Sequence, residues 1–374
     1  MPEVSRQATQ ETVDDAPEVL DLPSTPPPAG IGLCLSGGGY RAMLFHLGAV
    51  RRLNETGWLA RLTRIASVSG GSIIAGKLGM EWKNLTFDQN VAINFDALVE
   101  KPILDLAAHT IDVPAVLGAL LLPGRISQHV QSAYDRRLFR GATLQDLPHD
   151  GDGPRFVLLA TNLTHGTLWR FSQPYMRDWK TPEISKPAIP LAQAVAASSA
   201  FPPVLSPSLL RLPGGGTVQL TDGGVYDNLG LEPVVKNCAT VFVSDGGGTF
   251  NEHLVPQKNW IQGTLRVLST IDVQVRRLRR RQINGMLAAG QRRGAFFAIN
   301  TDYARFPNSS SRLPAALTAT KELAGTKTRL ARLDPVRSRR LVNWGYAACD
   351  AALRSYVDPK LTQPPGFPYP KEAL

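Results

Sequence analysis

The sequence predicts an α/β fold with a mainly parallel central sheet. Within about 50 residues, an apolar run, a glycine turn and a helical pattern occur twice in the same order. The first unit places a strand at Ile31–Leu35 and a helix at residues 40–53. The second places a strand at Arg64–Val68 and a helix at residues 72–80. Successive units of this kind are typical of parallel sheets, because a parallel neighbour is reached only through a crossover connection.

The middle of the chain interrupts this order. Residues 85–150 have amphipathic helical patterns and no glycine motif, so we interpret them as a helical insertion that could serve as a cap over a site. Further strands are predicted at residues 155–161, 168–171, 218–221, 240–244 and 295–300, and helices at 190–200, 264–289 and 338–356. The folded domain is therefore expected to span residues 30–358, followed by a C-terminal tail at 359–374.

The N-terminal residues 1–29 are polar and acidic, and they end in a proline-rich run. This composition predicts a disordered tail. The segment lacks the basic and apolar regions of a Sec signal peptide, and no window of the chain reaches the roughly 18 apolar residues of a membrane span. We therefore expect a cytoplasmic protein whose contact with a membrane is peripheral.

The chain of 374 residues has a formal net charge of +10 and a pI near 9.7. Such a surface attracts polyanions, including anionic membranes and nucleic acid. Nucleic acid is not the expected partner, because no motif with interleaved aromatic residues is present. The three cysteines, Cys34, Cys238 and Cys349, are far apart and lack metal-ligand spacing. Neither a disulfide framework nor a metal site is therefore expected.

Ser69 is the candidate nucleophile. It lies in a run that matches G-x-S-x-G except that Ser67 takes the place of the first glycine, and the run joins a predicted strand to a predicted helix. A nucleophile on such a turn needs small neighbours, because strand and helix pack closely there. The following helix would also direct free N–H groups towards the reacting oxygen. A tight turn with an unreactive serine is the alternative.

Gly37, Gly38 and Gly39 follow the first predicted strand and are the candidate oxyanion hole. Consecutive glycines let backbone N–H groups converge on an anion without obstruction by side chains. The same glycines fit a dinucleotide-binding fingerprint, but that assignment needs an acidic residue at the end of the second strand, where this chain has serine. Arg41 is a candidate for contact with an anionic substrate or for orienting the turn, and a solvated surface arginine is the alternative.

Asp222 is the candidate base. Four glycine turns follow four predicted strands, and open α/β sheets bind ligands at the carboxyl ends of strands. Asp222-Gly223-Gly224 is one such turn, but Asp245 begins an identical tripeptide, so local sequence does not single out Asp222. Among the six histidines, only His253 follows Asp222 in the chain order of an α/β-hydrolase triad.

Taken in order, the three motifs around Gly37–Gly39, Ser69 and Asp222 resemble those of patatin-like phospholipases. Residues 160–163 and 196–203 resemble further segments of that family, and the likeness extends over about residues 30–244. The resemblance implies a three-layer α/β/α sandwich, a Ser69–Asp222 dyad, no cofactor, no metal, and lipid acyl esters, often phospholipids, as substrates. Ser67 departs from the family's usual glycine.

Two alternatives stay open beside this interpretation. One is an α/β-hydrolase-type esterase with a triad of Ser69, Asp222 and His253. The other is a non-catalytic module that binds polyanions through its basic surface.

Residues 264–289 predict a basic amphipathic helix. Leu268, Ile271, Val275 and Leu278 recur at helical spacing. Five arginines occupy much of the remaining surface, namely Arg276, Arg277, Arg279, Arg280 and Arg281. A helix of this kind either binds an anionic membrane or packs its apolar stripe on the protein's own sheet. We expect it to contact an anionic membrane that holds the lipid substrate.

Overall fold

A computed structural model describes residues 29–112, 126–202, 205–248, 259–307 and 313–374. The strands are β1 (Ile31–Leu35), β2 (Arg64–Val68), β3 (Phe87–Asp88), β4 (Val91–Ala92), β5 (Arg155–Asn162), β6 (Thr167–Phe171), β7 (Tyr175–Arg177), β8 (Ile184–Ser185), β9 (Ser208–Arg211), β10 (Thr217–Asp222), β11 (Thr240–Asp245) and β12 (Arg293–Ala298). The strands predicted at the two glycine-turn units are confirmed as β1 and β2, with the same bounds.

The helices are α1 (Gly39–Glu55), α2 (Gly70–Glu81), α3 (Lys101–Ala107), α4 (Ile126–Tyr134), α5 (Leu191–Ser198), α6 (Gly224–Asp227), α7 (Glu232–Val235), α8 (Trp260–Ala288), α9 (Leu317–Ala324) and α10 (Pro335–Tyr356). Short 3-10 turns occur at Leu59–Arg61, Trp82–Asn84, Leu144–Asp146, Tyr303–Arg305 and Pro370–Glu372, and π-helical turns at Asp96–Glu100 and Asp135–Phe139. The sequence patterns predicted the long helices but not α9 or the strands β7 to β9.

The main sheet has ten strands, eight of which follow the order β12-β11-β1-β2-β5-β6-β7-β8. The five strands from β12 to β5 run parallel. The strands β6, β7 and β8 extend the sheet in antiparallel fashion. The predicted α/β fold with a mainly parallel sheet is confirmed.

Helices cover the parallel strands on both faces, so each strand buries side chains on two sides. On β1, Leu33 and Leu35 belong to a large core that also contains residues of α1, α2 and α10, whereas Cys34 belongs to a second core with residues of α7 and α8. Successive side chains of a strand point to opposite faces, so the two cores are separate layers. The result is a three-layer α/β/α sandwich.

Two glycines fix the position of α1, the helix that follows the glycine turn at Gly37–Gly39. A Cβ added at Gly48 would collide with the carbonyl oxygen of Val342, and one added at Gly345 would collide with that of Phe45. The backbones of α1 and α10 therefore touch where they cross, which only glycine permits. This close crossing holds the first turn of α1 at a defined place above the sheet.

The strand that carries Asp222 enters the sheet against the direction of its parallel neighbours. One edge of β5 pairs with β2 up to Val68, opposite Leu159, and then with β10, whose Asp222 lies opposite Ala160. The other edge of β5 pairs with β6. Since β10 is antiparallel to β5, the carboxyl ends of β2 and β10 face each other. The glycine turn after β10 therefore approaches the site from the side opposite to the glycine turns after β1, β2 and β11.

The region predicted as an insertion, residues 85–150, contains α3, α4, two π-helical turns and the small hairpin β3–β4 in its described part. Residues 113–125 lie outside the described residues. Helix α4 packs against α5, which leads towards Asp222. The role of residues 85–150 as a cap and the boundaries of the folded domain at residues 30–358 stay predictions.

Candidate active site

Ser69 lies at the bend between β2 and α2, in a backbone conformation that serine rarely adopts. Its φ is 51° and its ψ is −118°. A positive φ strains any residue with a Cβ, and such strain persists only where the surrounding structure enforces it. The glycines that follow are needed for space, because a Cβ at Gly70 would collide with the carbonyl of Gly39 and one at Gly71 with that of Leu35. A strained strand-to-helix turn of this kind is one that can carry a nucleophile.

Ser67, which departs from the usual glycine, is accommodated without an unpaired hydroxyl. Its Oγ lies 3.0 Å from the Oγ of Ser72, and both side chains are fully buried. The Oγ of Ser72 lies a further 2.8 Å from that of Ser198. The extra side chain therefore fits a buried chain of hydroxyl groups behind the bend.

The glycine turn after β1 lies directly against Ser69. A Cβ added at Gly37 would be 3.2 Å from the Cβ of Ser69. Gly38 and Gly39 have φ values of 145° and 61°, which suit glycine. The N–H of Gly37 donates to the carbonyl of Asn228 at 3.1 Å. The N–H groups of Gly38, Gly39 and Gly70 find no acceptor within the described residues.

Asp222 ends β10 and is 3% exposed. Its backbone is anchored by the N–H bond to the carbonyl of Ala200 (3.0 Å) and by the Thr161 hydroxyl, which donates to its carbonyl (2.9 Å). The N–H of Gly224 donates to its Oδ1 at 2.7 Å. These bonds hold the carboxylate beside the Ser69 bend.

The environment of Asp222 raises the proton affinity of its carboxylate. Burial raises its pKa to about 7, and the negative charge of Asp272 on α8 acts in the same direction. The Gly224 N–H, which donates to the carboxylate, and the Ser69 hydroxyl lower the pKa but do not offset the burial. Desolvation disfavours the charged form of a carboxyl group, so it binds a proton more readily than a solvated aspartate does.

Asp245, the second aspartate of the Asp-Gly-Gly pattern, has a different environment. Its Oδ2 accepts from the Arg280 Nε at 2.6 Å, and its Oδ1 accepts from the Gly247 N–H at 2.8 Å. Burial alone would raise its pKa, but the charges of Arg280 and Arg276 hold the pKa of Asp245 below its ordinary value. A carboxylate held ionised by a guanidinium is a weak proton acceptor, and this separates Asp245 from Asp222.

Arg41 is buried, so the alternative of a solvated surface arginine is wrong. Its Nε donates to the carbonyl of Gly246 at 3.1 Å, and its Nη1 donates to the carbonyl of Thr326. Burial lowers its pKa to about 10, with a further lowering by Arg276, so it remains charged at neutral pH. Its side chain therefore connects the start of α1, next to the glycine turn, to the loop after β11.

Within the described residues, no histidine makes a hydrogen bond to Ser69 or Asp222. His46 is the buried histidine of α1, and burial lowers its pKa to about 4, so it is neutral at pH 7. It lies 2.9 Å from the Ser36 carbonyl and 2.8 Å from the Ser244 hydroxyl. His253, on which the triad alternative depends, lies outside the described residues. Groups of acidic, histidine or cysteine residues suited to a metal are absent from the described part of the chain.

The sequence analysis expected free N–H groups at the start of the helix after Ser69 without naming Gly70, and it did not identify Ser198. The N–H of Gly70 has no acceptor within the described residues because the residue begins α2, and its position directly after the candidate nucleophile was a usable signal. Ser198 accepts the N–H of Ser69 at 2.9 Å. Because Ser198 and Ser69 are far apart in the sequence, no local pattern indicated this contact.

Three of the four residues in the predicted apolar stripe of α8 are exposed and Val275 is partly buried, while the end of the helix packs Ile283 and Met286 into the second core. Leu268, Ile271 and Leu278 are 44%, 54% and 57% exposed. The arginines differ from one another: Arg276 pairs with Asp272 at 2.8 Å and Arg280 pairs with buried Asp245. Arg276 and Arg280 are therefore partly buried in ion pairs, whereas Arg277 and Arg281 are exposed.

Residues 33–235, more than half of the chain, match the family model described as patatin-like phospholipase. Similar solved structures include a human GIVD cytosolic phospholipase A2 bound to methyl γ-linolenyl fluorophosphonate, with 14% identity and a TM-score of 0.48. They also include VipD from Legionella pneumophila, with 16% identity and a TM-score of 0.36. The alignments cover 86% of this chain and 57% of the human protein, and 88% of this chain and 67% of VipD. No curated protein matches the chain.

Proposed function

The chain belongs to the patatin-like phospholipase family, and from this we propose that it hydrolyses carboxylic esters of phospholipids or related lipids, with Ser69 as nucleophile and Asp222 as general base. The observation that carries the proposal is the pairing of a serine in a strained turn with a buried carboxyl group whose pKa is about 7. A serine hydroxyl needs a neighbouring base to become an effective nucleophile. A base with a pKa near the working pH combines a useful ionised fraction with a useful proton affinity.

In the first step, the Oγ of Ser69 attacks the ester carbonyl carbon while its proton passes to the carboxylate of Asp222. The carbonyl double bond opens and the oxygen becomes an oxyanion. When this intermediate collapses, the C–O bond to the alcohol breaks and Asp222 returns the proton to the leaving oxygen. The acyl chain remains on Ser69 as an ester.

In the second step, a water molecule attacks the acyl ester. Asp222 takes a proton from this water, and a second tetrahedral oxyanion forms and collapses. The bond to Ser69 breaks, and the proton on Asp222 returns to the Oγ of Ser69. The fatty acid leaves and the enzyme regains its starting state.

We assign the oxyanion hole to the free N–H groups of Gly38 and Gly39, with Gly70 as a further donor. Each such donor is worth about 3–4 kcal/mol of transition-state stabilisation when it is fixed in place. Gly37 was a candidate for the same role, but its N–H is engaged by the Asn228 carbonyl. We assign Gly37 to shaping the turn, since a side chain there would crowd Ser69.

The lipid substrate is proposed to come from an anionic membrane, which the outer face of α8 contacts. Three observations support this: the exposed stripe of Leu268, Ile271 and Leu278, the exposed Arg277 and Arg281 beside it, and the net charge of +10. Apolar side chains insert at the headgroup boundary, and each basic residue near an anionic leaflet adds about 1 kcal/mol. Asp272, on the same helix, contributes to the raised pKa of Asp222. No described helix is long and apolar enough to cross a bilayer.

The test of the proposed function is labelling with a fluorophosphonate probe, which reacts with an activated serine. We expect the parent protein to be labelled, Ser69→Ala to lose labelling while it stays folded, and Ser199→Ala to keep it. Hydrolysis of a phospholipid should follow the same order. A folded Ser69→Ala protein that still hydrolyses the ester would exclude Ser69 as the nucleophile, and a parent that neither labels nor hydrolyses would favour the non-catalytic module.

A further inference from the structure

Ser198 makes one hydrogen bond to the turn of the nucleophile and another to the turn of the base. Its Oγ accepts the backbone N–H of Ser69 at 2.9 Å. Its carbonyl oxygen accepts the N–H of Gly223, the residue after Asp222, at 3.2 Å. Ser198 is the last residue of α5 and is 0% exposed.

The segment after α5 also holds the strand of the base. The carbonyl of Ala200 accepts the N–H of Asp222 at 3.0 Å and the hydroxyl of Thr221 at 2.9 Å. The attachment to Asp222 is therefore made by backbone groups of this segment. The attachment to Ser69 depends on a single side-chain oxygen, that of Ser198.

The N–H of Ser69 needs this acceptor. Ser69 is 7% exposed, and its N–H has no other acceptor within the described residues. An unpaired buried N–H is costly, and the bend around it already has a positive φ. If the Ser198 hydroxyl is removed, the backbone of the bend must move before the N–H of Ser69 can reach another acceptor.

The hydroxyl chain behind the bend fixes the orientation of Ser198. A serine hydroxyl has one hydrogen and two lone pairs. The Oγ of Ser198 uses one lone pair for Ser69 and is 2.8 Å from the Oγ of Ser72, which in turn meets Ser67. Ser67, the departure from the usual glycine, is thus the far end of the chain that supports the nucleophile.

We infer that Ser198 is a positioning residue that sets the placement of Ser69 relative to Asp222. This inference rests on the proposed function, because it assigns Ser198 a role in the work of that dyad. Ser198 is fully buried and does not reach the substrate, so it acts through Ser69. Its loss should slow the chemical step and leave substrate binding unchanged.

The experiment compares Ser198→Ala with Ser199→Ala. The neighbouring serine is a matched control: it is equally buried, but its hydroxyl bonds to the Val195 carbonyl and to Tyr134, not to Ser69. Active sites are titrated with the fluorophosphonate, and kcat per titrated site and KM are measured on a phospholipid ester. Displacement of a reacting group by a fraction of an ångström is costly, so we expect kcat of Ser198→Ala to fall about 10-fold to 100-fold with KM unchanged. Ser199→Ala should stay within about 2-fold of the parent.

A pH–rate profile distinguishes a positioning role from a purely structural one, because a purely structural role would leave the pH midpoint of kcat unchanged. The Ser69 hydroxyl lowers the pKa of Asp222, so weakening that contact should shift the midpoint of kcat to higher pH. The other groups around the carboxylate are Gly224, Asp272 and Tyr134, and the variant changes none of them. Ser198→Cys is the second variant, since a thiol nearly preserves the volume but accepts hydrogen bonds weakly. It should show the same changes if Ser198→Ala does not fold.

Equal kcat per titrated site in Ser198→Ala, Ser199→Ala and the parent would overturn the inference while the proposed function stands. A folded Ser198→Cys with the kcat and pH midpoint of the parent would do the same. A parent that does not react with the probe would instead contradict the proposed function itself.

Discussion

Ser69 and Asp222 lie at the carboxyl ends of two strands that approach each other along the same edge of β5. Val68 is opposite Leu159, and Asp222 is opposite the next residue, Ala160. The chain therefore runs towards Ser69 in one direction along β2 and towards Asp222 in the opposite direction along β10. This arrangement brings the end of β10, with its buried carboxyl group, next to the bend that carries Ser69.

Replacing Asp222 by Asn should remove activity almost as completely as Ser69→Ala does. An amide keeps the shape and the bond from Gly224 but cannot take a proton at neutral pH. The loss should reach about 10²-fold to 10⁴-fold in kcat, the usual contribution of a positioned base. The control is His253→Ala, which should retain most of the activity in the same ester assay. Equal inactivity of His253→Ala would support the triad instead.

The activity should depend on a group with a pKa of about 7. The base must be ionised, so kcat should decline about 10-fold per pH unit below that value and level off above it. The charged and titratable groups that surround Asp222 are Asp272 on α8 and Tyr134 on α4. A pH–rate profile on an uncharged ester checks this. A midpoint near 4, the ordinary value for aspartate, would mean that the carboxylate is not desolvated in the working enzyme.

Asp222→Asn should also make the protein more stable at alkaline pH. The folded protein holds the Asp222 proton up to a pKa of about 7, whereas the unfolded chain releases it near 3.8. The parent therefore loses stability as the pH rises from about 4 to 7, and the Asn variant does not. The difference should be small near pH 4 and reach on the order of 2–4 kcal/mol at pH 8. Denaturant unfolding at several pH values measures it, and a gap that does not widen with pH would contradict the raised pKa.

Replacing Gly38 by Ala should lower kcat with a smaller effect on stability. The added Cβ would lie 2.9 Å from the Cβ of Ala42 and 2.9 Å from the carbonyl oxygen of Gly246, so the turn must shift. The N–H of residue 38 would then no longer point at the oxyanion. Loss of one oxyanion donor typically costs about 10²-fold to 10³-fold in kcat. The matched control is Gly141→Ala, at another glycine of positive φ with nothing within 4 Å of the added carbon. If both variants keep the parental kcat, Gly38 only shapes a turn.

The outer face of α8 should be required for binding to anionic membranes. Serine at Leu268, Ile271 and Leu278, or Gln at Arg277 and Arg281, should reduce co-sedimentation with liposomes that contain phosphatidylserine. Binding of the parent should weaken between low and high salt, because screening shortens the reach of the charges. The control places serine at Leu317 and Val336, which are equally exposed apolar residues on other helices. Equal losses in both sets would show that the face of α8 is not a specific docking surface.

Arg280→Gln should destabilise the fold, unlike the nearby Arg281→Gln. Removing the Arg280 guanidinium leaves the fully buried carboxylate of Asp245 without its closest cation. Breaking a buried pair in this way costs about 3–5 kcal/mol, whereas a solvated arginine contributes within about 0.5 kcal/mol. Thermal unfolding of the two variants at pH 7 compares them. Similar midpoints would mean that Asp245 becomes protonated at little cost.

Much of the fold and the outline of the site could be predicted from the sequence. The apolar runs before Ser36 and Ser69 and the glycines after them depend on neighbours within a few residues, so their patterns predicted β1, β2 and the turns. The family's motif order identified Ser69, Asp222 and the glycine turn as candidates. Local patterns could not predict the short edge strands β7 and β8, whose two or three residues carry no periodicity.

The sequence by itself determined where tight turns can form, which side chains are candidates for reaction and where the buried strands β1 and β2 form, because those properties depend on local chemistry. Only the tertiary structure decided that β10 runs against β5, that Arg41 is buried, and that Ser198 joins the two turns. It also separated two identical Asp-Gly-Gly tripeptides, since Arg280 neutralises Asp245 while burial raises the pKa of Asp222. The physical reason is that desolvation and ion pairing depend on groups that approach from distant parts of the chain, and no local pattern records which groups those are.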